Sequence, residues 1–261
     1  MLFLHSKEND KLELFERFNV DNWDEVKQRI TYKVINKKAL NLLENSKKII
    51  HEDNMDLTKV CMISELSHDR KNLNCYILTV DDCKRFNKTA KEIISIANTN
   101  IGNDKKRRIG GFKDDLMNVE VLAPIASFPE HSMIQVPSSN SNGLLIGDKE
   151  EDGSESIIIV GNKYSVFGAS YMLDFNTLNT VRDRFNDNFY IIPVSIHKFM
   201  CLKKSFLLKK NPNIDEMEDD LLDMIYKINI RNQNADDILS YRLYYYSIED
   251  GEKLISIKQQ L

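Results

Sequence analysis

Ser195 and His197 are the residues whose types and spacing come closest to a catalytic pair. They lie two apart on a predicted strand, so both side chains would project from one face, where a histidine can act as base for a serine nucleophile. No Gly-x-Ser-x-Gly motif surrounds Ser195, and the sequence offers no third residue to orient the histidine. A structural or partner-contacting role is therefore preferred. A hydrolase or nucleotide-processing enzyme that uses Ser195 and His197 is the alternative.

Metal-ligating residues form a weaker pattern. His51 and Asp56 are a polar pair in an apolar neighbourhood, and with His197 they could supply ligands. The five histidines show neither His-x-x-x-His nor His-Glu-x-x-His spacing, and the four cysteines form no Cys-x-x-Cys pair. The sequence therefore predicts no metal, no cofactor, and reduced, mostly buried thiols.

The concentrated basic patch is the run Lys105, Lys106, Arg107 and Arg108. A loop of this composition could contact phosphates, which makes nucleic-acid binding a further alternative. Acidic residues flank the run, no aromatic platform interleaves it, neither phosphate-binding glycine motif is present, and the whole chain has a net charge of −4. A solvated loop is the favoured interpretation.

A tyrosine-rich segment near the end of the chain indicates a protein partner. Its members are Tyr241, Tyr244, Tyr245 and Tyr246. They alternate across a predicted edge strand, and tyrosine is over-represented in protein interfaces. Strand propensity alone would also explain them. Exposed tyrosines on an edge hairpin are nonetheless the best candidate for a protein-binding surface.

The composition is that of an ordinary globular protein: 42% of the 261 residues are hydrophobic and 29% are charged, with 9 Gly and 5 Pro. These values argue against a disordered or repetitive chain. The apolar residues Met1–Leu4 are followed at once by polar ones, and no stretch has the length of a membrane span. We expect a cytoplasmic protein without membrane contact.

Several elements must position these candidates. Helices are predicted over Trp23–Ile30 with Asp21 as N-cap, over Lys38–Ile50 and, after a strand at Cys75–Val80 and the capping pair Asp81 and Asp82, along Phe86–Ala97. The apolar stretch Met55–Leu66 fits either a helix or a strand, and we favour a helix. In the second half we predict a tight hairpin of Ile157–Val160 with Tyr164–Leu173, followed by a helix capped by Asp174. A strand is predicted at Phe189–Ile192, and Ile196–Leu202 either continues it or pairs with it. A helix from Asn213 and a terminal hairpin over Tyr241–Ile257 complete the chain.

Gly168, Ala169 and Ser170 are small residues in the second predicted strand of the tight hairpin. They indicate close approach of a neighbouring backbone or helix, or a bulge.

These elements predict an α+β fold with a mixed or antiparallel sheet, helices packed on it, and an N-terminal helical part. The parts are 1–100, an irregular connecting region 101–156, and an α+β part 157–261, which together could form one continuous domain.

Six stretches together resemble a known family. They are WDEVKQRITYKVIN (Trp23–Asn36), His51 with Asp56-Leu57, Ala97-Asn98-Thr99, GNKYSVFGASYML, DNFYIIPVSIH (Asp187–His197) and ILSYRLYYY (Ile238–Tyr246). The chain is similar to uncharacterised Clostridia and Firmicutes proteins grouped as a domain of unknown function and often carried on mobile elements. Members have an FYILPSSIHE-like core, from which Val194 and Lys198 depart, and a segment before Trp23 that the resemblance implies is absent or replaced here. The family has no established activity to carry over.

The lack of a complete catalytic constellation favours a non-enzymatic binding or regulatory protein. The resemblance implies a mobile-element setting, in which a host or defence protein is the expected partner. The enzyme and the nucleic-acid binder remain the alternatives.

Overall fold

A computed structural model of the protein describes residues 22–41, 46–66, 73–104, 107–111, 133–136, 144–147, 155–162, 166–231, 235–249 and 251–259. The chain divides into two compact units, with the boundary between Lys105 and Lys106. Helices and antiparallel sheets occur in both, so the predicted α+β class is confirmed. Within the described residues, no helix combines the length and the apolar character needed to cross a bilayer.

The first unit is built on a four-stranded antiparallel sheet. Its elements are α1 (Trp23–Lys27), β1 (Ile30–Asn36), α2 (Lys37–Asn41), a 3₁₀ turn (Ser46–Lys48), β2 (His51–Asn54), β3 (Leu57–Leu66), β4 (Leu73–Ile77), α3 (Val80–Phe86) and α4 (Ala90–Gly102). The long strand β3 pairs with β1, β2 and β4. Helix α4 packs against β1 through its buried face, which consists of Ile93, Ala97 and Ile101.

Of the two interpretations of Met55–Leu66, the favoured helix is wrong and the strand is right. Residues 57–66 form β3, and Met55, with φ of 56°, makes the two-residue turn that links β2 to it. Each side chain from Leu57 to Ile63 is buried. A strand buried on both faces has no polar alternation, so its hydrophobic run looks like that of a buried helix.

The other helix predictions for this unit are right in place and wrong in length. Helix α1 ends at Lys27, and Ile30 already belongs to β1; its N-cap is Asn22, while Asp21 lies outside the described residues. Within Lys38–Ile50, residues 37–41 are helical, and 42–45 lie outside the described residues. The predicted helix along Phe86–Ala97 is two helices, because Asn87 ends α3 in the left-handed region and Thr89 caps α4.

The second unit contains a six-stranded sheet in the order β12-β11-β9-β10-β8-β5, in which all neighbours are antiparallel. Its elements are β5 (Arg107–Gly111), β6 (Met133–Val136), β7 (Leu144–Gly147), β8 (Ile157–Asn162), a 3₁₀ helix (Gly168–Leu173), α5 (Phe175–Phe185), β9 (Phe189–Ser195), β10 (Lys198–Lys203), α6 (Lys204–Lys210), α7 (Ile214–Arg231), a 3₁₀ turn (Ala235–Asp237), β11 (Arg242–Ser247) and β12 (Lys253–Gln259). Strands β5, β6 and β7 all lie in the irregular connecting region 101–156. The apolar fragments Val119–Ile125 and Met133–Val136 of this region predict short strands; Met133–Val136 is β6, and 119–125 lie outside the described residues.

Helices cover both faces of this sheet. The core on one face is formed by α6, α7, β9 and β11, and includes Leu207, Leu221 and Tyr190. On the other face Phe185 of α5 contacts Phe189, whose ring lies 5.2 Å from that of Tyr246. The Asp174 cap, the β9–β10 pair, the long helix and the terminal hairpin are confirmed.

The tight hairpin predicted for Ile157–Val160 with Tyr164–Leu173 is wrong over the described residues 166–173, and 163–165 lie outside the described residues. Residues 168–173 form a 3₁₀ helix in which every residue is buried, and β8 pairs instead with β10 and β5. Burial on all sides again removes the periodicity that separates helix from strand.

Candidate functional site

Ser195 and His197 meet at the turn between β9 and β10. Ser195 ends β9, Ile196 and His197 form the turn, and Lys198 begins β10 opposite Ser195. The expected arrangement, with both side chains projecting from one strand, is therefore wrong. The chain reverses at this point, so strand alternation does not govern where the two side chains point.

The Ser195 hydroxyl is buried and forms a hydrogen bond within the turn. Ser195 is only 1% exposed, and its Oγ accepts a hydrogen bond of 3.1 Å from the backbone N–H of His197. A nucleophile–base pair requires that the hydroxyl reach the imidazole. Here the hydroxyl meets the backbone of His197, and the ring makes its contacts elsewhere, so the geometry supports a structural role for Ser195.

The imidazole of His197 lies between two segments distant in sequence. Its Nδ1 accepts a hydrogen bond of 3.1 Å from the backbone N–H of Phe167, and its Nε2 lies 3.6 Å from Oδ1 of Asp237. A backbone N–H can only donate, so Nδ1 must be without a proton and the neutral ring carries its proton on Nε2, towards the carboxylate.

Burial dominates the electrostatics of this ring. It lowers the pKa of His197 below the usual value for histidine; the Asp237 carboxylate opposes that shift, and the Lys198 ammonium adds to it. About a quarter of the side chain, 26%, remains exposed. The net effect keeps His197 neutral near pH 7, as its hydrogen bond with Phe167 requires.

The backbone around His197 is closely packed. A Cβ atom at Gly168 would lie 2.4 Å from the carbonyl oxygen of His197, 2.6 Å from Cα of Gly161 and 2.8 Å from the amide nitrogen of Asn162. Side chains do not tolerate such distances, so only glycine fits. The prediction that the small residues here mark close backbone approach is confirmed for Gly168.

Two polar contacts hold the segment that faces the imidazole. The Asn162 side chain accepts a hydrogen bond of 3.2 Å from the Val166 N–H and donates one to the Val166 carbonyl. Phe167 has a left-handed backbone, with φ of 54°, and its ring centroid lies 5.9 Å from that of His197. The segment Val166–Phe167 is thus bound from one side by Asn162 and from the other by His197.

Asp237 is the member of this cluster that sequence reasoning missed. It lies in the 3₁₀ turn before β11, and its carbonyl accepts a hydrogen bond of 2.9 Å from the backbone N–H of Ile196. No sequence motif relates Asp237 to His197. The two residues come close together only because β11, which follows Asp237, pairs with β9 in the sheet.

A metal site is not supported where side chains are described. Within that part of the chain, no three His, Cys, Asp or Glu residues lie close enough to hold an ion. His51 begins β2 of the first unit, whereas His197 belongs to the second.

The tyrosines do not form an exposed edge. Strand β11 pairs with both β9 and β12, and Tyr244 and Tyr246 are fully buried. Their hydroxyls bond to Ser240 Oγ at 2.8 Å and to Asn179 Oδ1 at 2.6 Å. The expectation of exposed binding tyrosines is therefore wrong for these two. Tyr241 precedes the strand and is 41% exposed.

The outermost strand at this side of the described sheet is β12. We call its residues Lys253, Leu254, Ile255, Ser256 and Ile257 the β12 edge. Ile255 lies opposite Tyr245 and is 41% exposed, and Lys253 is exposed as well. Ile257 has no partner in the register with β11, which shifts between Leu243 and Tyr244.

The basic run is only partly visible. Lys105 and Lys106 lie outside the described residues. Arg107 and Arg108 lie on β5, where their backbones pair with Asn162 and Gly161 of β8. The loop expected at this run is therefore wrong for these two arginines, because their backbone is part of a sheet. Nucleic-acid binding through the run stays an alternative that the fold does not test.

One family model matches the chain over residues 2–248, and its description is a family of unknown function, DUF5688. The chain belongs to this family. The resemblance to a domain of unknown function is thereby confirmed, and the match includes the residues that precede Trp23. Neither a curated protein nor a solved structure matches the chain.

Membership of DUF5688 brings no activity with it, so function has to be argued from the geometry. The match includes the His197 cluster and β11, and it ends before β12. The β12 edge therefore completes the sheet from outside the matched residues.

Proposed function

We propose that this protein is a non-enzymatic binding protein that takes up an extended segment of a partner protein along the β12 edge. The carrying observation is that β12 is the outer strand of the described sheet and exposes Ile255 beside it. An outer strand presents unpaired N–H and C=O groups, and addition of a strand at such an edge is a recurring mode of peptide recognition. The Ser195 geometry supports the absence of catalysis.

The strand beneath the edge is firmly held. Strand β11 lies between β12 and β9 and carries the fully buried Tyr244 and Tyr246. A rigid template loses little conformational entropy when a segment pairs with it. The sequence suggests a binding role for the tyrosines, and we assign this role to the neighbouring strand β12 instead. The buried tyrosines of β11 support that strand.

The chemistry of the edge specifies the partner. Lysines at 253 and 258 flank the apolar positions Leu254, Ile255 and Ile257, although the whole chain has a net charge of −4. A complementary strand has an apolar centre flanked by Asp or Glu, because opposite charges on paired strands stabilise the pair. An extended acidic–apolar–acidic segment is the occupant we propose.

The proposed setting is the cytoplasm, with a host or defence protein as partner. The similarity to Clostridia and Firmicutes proteins that travel on mobile elements supports this setting.

Position-specific crosslinking tests the proposal. The photoreactive residue p-benzoylphenylalanine replaces Ile255 in one variant and Ile230 in a control, because Ile230 is 63% exposed but lies on helix α7. We expect position 255 to crosslink one protein in the source cells and position 230 not to do so. The purified partner should slow hydrogen exchange of the β12 amides. Equal crosslinking at both positions, or no change in β12 exchange, would contradict the proposal.

A further inference from the structure

We propose that His197 is a proton-sensitive latch: the neutral imidazole holds the backbone of Val166–Phe167, and the protonated imidazole releases it. The latch bond is the 3.1 Å hydrogen bond from the Phe167 N–H to Nδ1. A protonated imidazole has a proton on each nitrogen and cannot accept. Two donors would then face each other across the same contact, so protonation converts an attraction into a repulsion.

The ring is held in place by its own turn, so protonation acts on a fixed geometry. Ser195 Oγ accepts from the His197 N–H at 3.1 Å, and the His197 carbonyl packs against the Cα of Gly168 and the backbone of β8. Movement of the whole turn would disturb these close contacts. The part that moves on protonation is therefore the segment Val166–Phe167, which donates the hydrogen bond to Nδ1.

The charged groups around the ring act on its protonation in opposite directions. Asp237, on the 3₁₀ turn, lies 3.6 Å from Nε2, and its neighbour Asp236 adds a second carboxylate on that turn. Lys198, on β10, opposes protonation. From the held segment, the neutral ring of Phe167 lies 5.9 Å from the imidazole, measured between centroids. A proton added at Nδ1 leaves an imidazolium that can form an ion pair with Asp237.

Phe167 supplies a driving force for release. Its φ of 54° lies in the left-handed region, which a bulky residue without a glycine's freedom adopts only when its surroundings hold it there. The latch bond is one of those restraints. Its loss lets the backbone of Phe167 relax towards ordinary conformations.

Burial lowers the pKa of His197 below the usual value for histidine. The latch is therefore closed near neutral pH and opens on mild acidification. The population of the closed form should fall about tenfold for each pH unit below the pKa of the ring.

Nuclear magnetic resonance of the full chain tests the latch. Ring nitrogen shifts should show neutral His197 with its proton on Nε2, and the protection factor of the Phe167 amide should fall with the midpoint of the His197 titration. His51 is the internal control, because its Nδ1 lies 2.9 Å from the Ile49 carbonyl and must donate. A hydrogen bond that the ring donates survives protonation, so the protection of the amides beside His51 should not fall together with that of the Phe167 amide.

The substitution His197→Asn separates the latch from mere packing. The Oδ1 atom of the introduced asparagine occupies the place of Nδ1 and can accept the hydrogen bond from the Phe167 N–H, but it does not titrate. The protection of the Phe167 amide should therefore persist and become independent of pH. His197→Ala should lose about tenfold or more of the protection at every pH. The proposal is overturned if neutral His197 carries its proton on Nδ1, or if Phe167 protection does not change through the ring's titration.

Discussion

A Cβ atom placed on Gly168 would lie 2.4 Å from the carbonyl oxygen of His197. The same atom would meet the backbone of β8 at Gly161 and Asn162. The start of the 3₁₀ helix therefore lies in direct contact with the β9–β10 turn, and three backbone segments meet without an intervening side chain. The position of the His197 ring depends on this contact.

We expect Gly168→Ala to lower the free energy of unfolding by about 2 kcal/mol or more, because the added methyl group meets backbone that cannot rotate away. Gly161→Ala is the matched control. A Cβ there would lie 3.5 Å from the same carbonyl oxygen, which is ordinary contact, so its effect should stay below about 1 kcal/mol. Urea unfolding of both variants measures the difference, and equal effects would contradict the packing shown by the structure.

A second prediction concerns the buried carboxylate of Asp82 in the first unit. It accepts hydrogen bonds from the backbone N–H of Thr79 at 2.8 Å, the Thr79 hydroxyl at 2.8 Å and the Tyr76 hydroxyl at 3.1 Å. Asp82→Ala removes this buried acceptor from the three donors and should lower the free energy of unfolding by about 2–3 kcal/mol. Asp81→Ala, next to it, removes only a 3.5 Å contact with the exposed Lys84.

Urea unfolding followed by tryptophan fluorescence suits this pair of variants, because Trp23, the only tryptophan, lies in the same unit and its ring centroid is 5.4 Å from that of Phe86 on α3. The change for Asp81→Ala should stay within about 0.5 kcal/mol. Comparable losses for both aspartates would mean that the network around Tyr76 contributes little.

The parts of the fold that were predicted correctly depend on local signals. Asp174 accepts a hydrogen bond from Thr177 N–H at 3.0 Å, as a helix cap should, and the long helix α7 shows a clear apolar face. The wrong predictions fall where burial is complete. Residues 57–63 of β3 and 168–173 of the 3₁₀ helix have no solvent face, so neither shows a period.

Most contacts of the candidate site could not be predicted from the sequence, and the reason is a different one. The contacts of His197 with Phe167 and Asp237 depend on which strands pair, and the order β12-β11-β9-β10 is set by tertiary packing. The same order decides that β11 is internal and β12 external. A tyrosine-rich strand therefore looked like an edge, although its neighbour occupies that position.

A third prediction concerns thiol reactivity. Burial raises the pKa of Cys61 to about 12 and that of Cys75 to about 12, and it raises the pKa of the fully buried Cys201 as well. The pKa of Cys83 is also raised, by burial and by Asp82. Cys61 and Cys201 are buried, whereas Cys75 and Cys83 are half-buried, and of these two Cys75 has the pKa that burial raises to about 12. Since the thiolate is the reactive form and needs access, Cys83 should react first with a disulfide reagent at pH 8.

Cys83→Ser should remove the fast phase of this reaction and leave a native protein that reacts slowly. In denaturant, four thiols should react in the wild type and three in the variant, because all four cysteines are free. A fast phase that persists in Cys83→Ser would show that another thiol is accessible.

The last prediction is the pH dependence of stability that His197 contributes. Its pKa in the folded protein lies below the unfolded value of about 6.5, so between the two values the unfolded chain binds more protons. The stability due to neutral His197 is therefore complete above about pH 6.5 and is lost as the pH falls towards the folded pKa.

Relative to His197→Asn, the wild type should lose free energy of unfolding from pH 7.5 to 5, at up to about 1.4 kcal/mol per pH unit. Asp237→Asn removes the carboxylate that favours the charged ring, so it should lower the pKa of His197 further. The loss should still begin near pH 6.5, but it should continue to lower pH and reach a larger total. Urea unfolding at a series of pH values measures all three proteins, and parallel curves for the wild type and His197→Asn would show that the ring does not titrate differently in the two states.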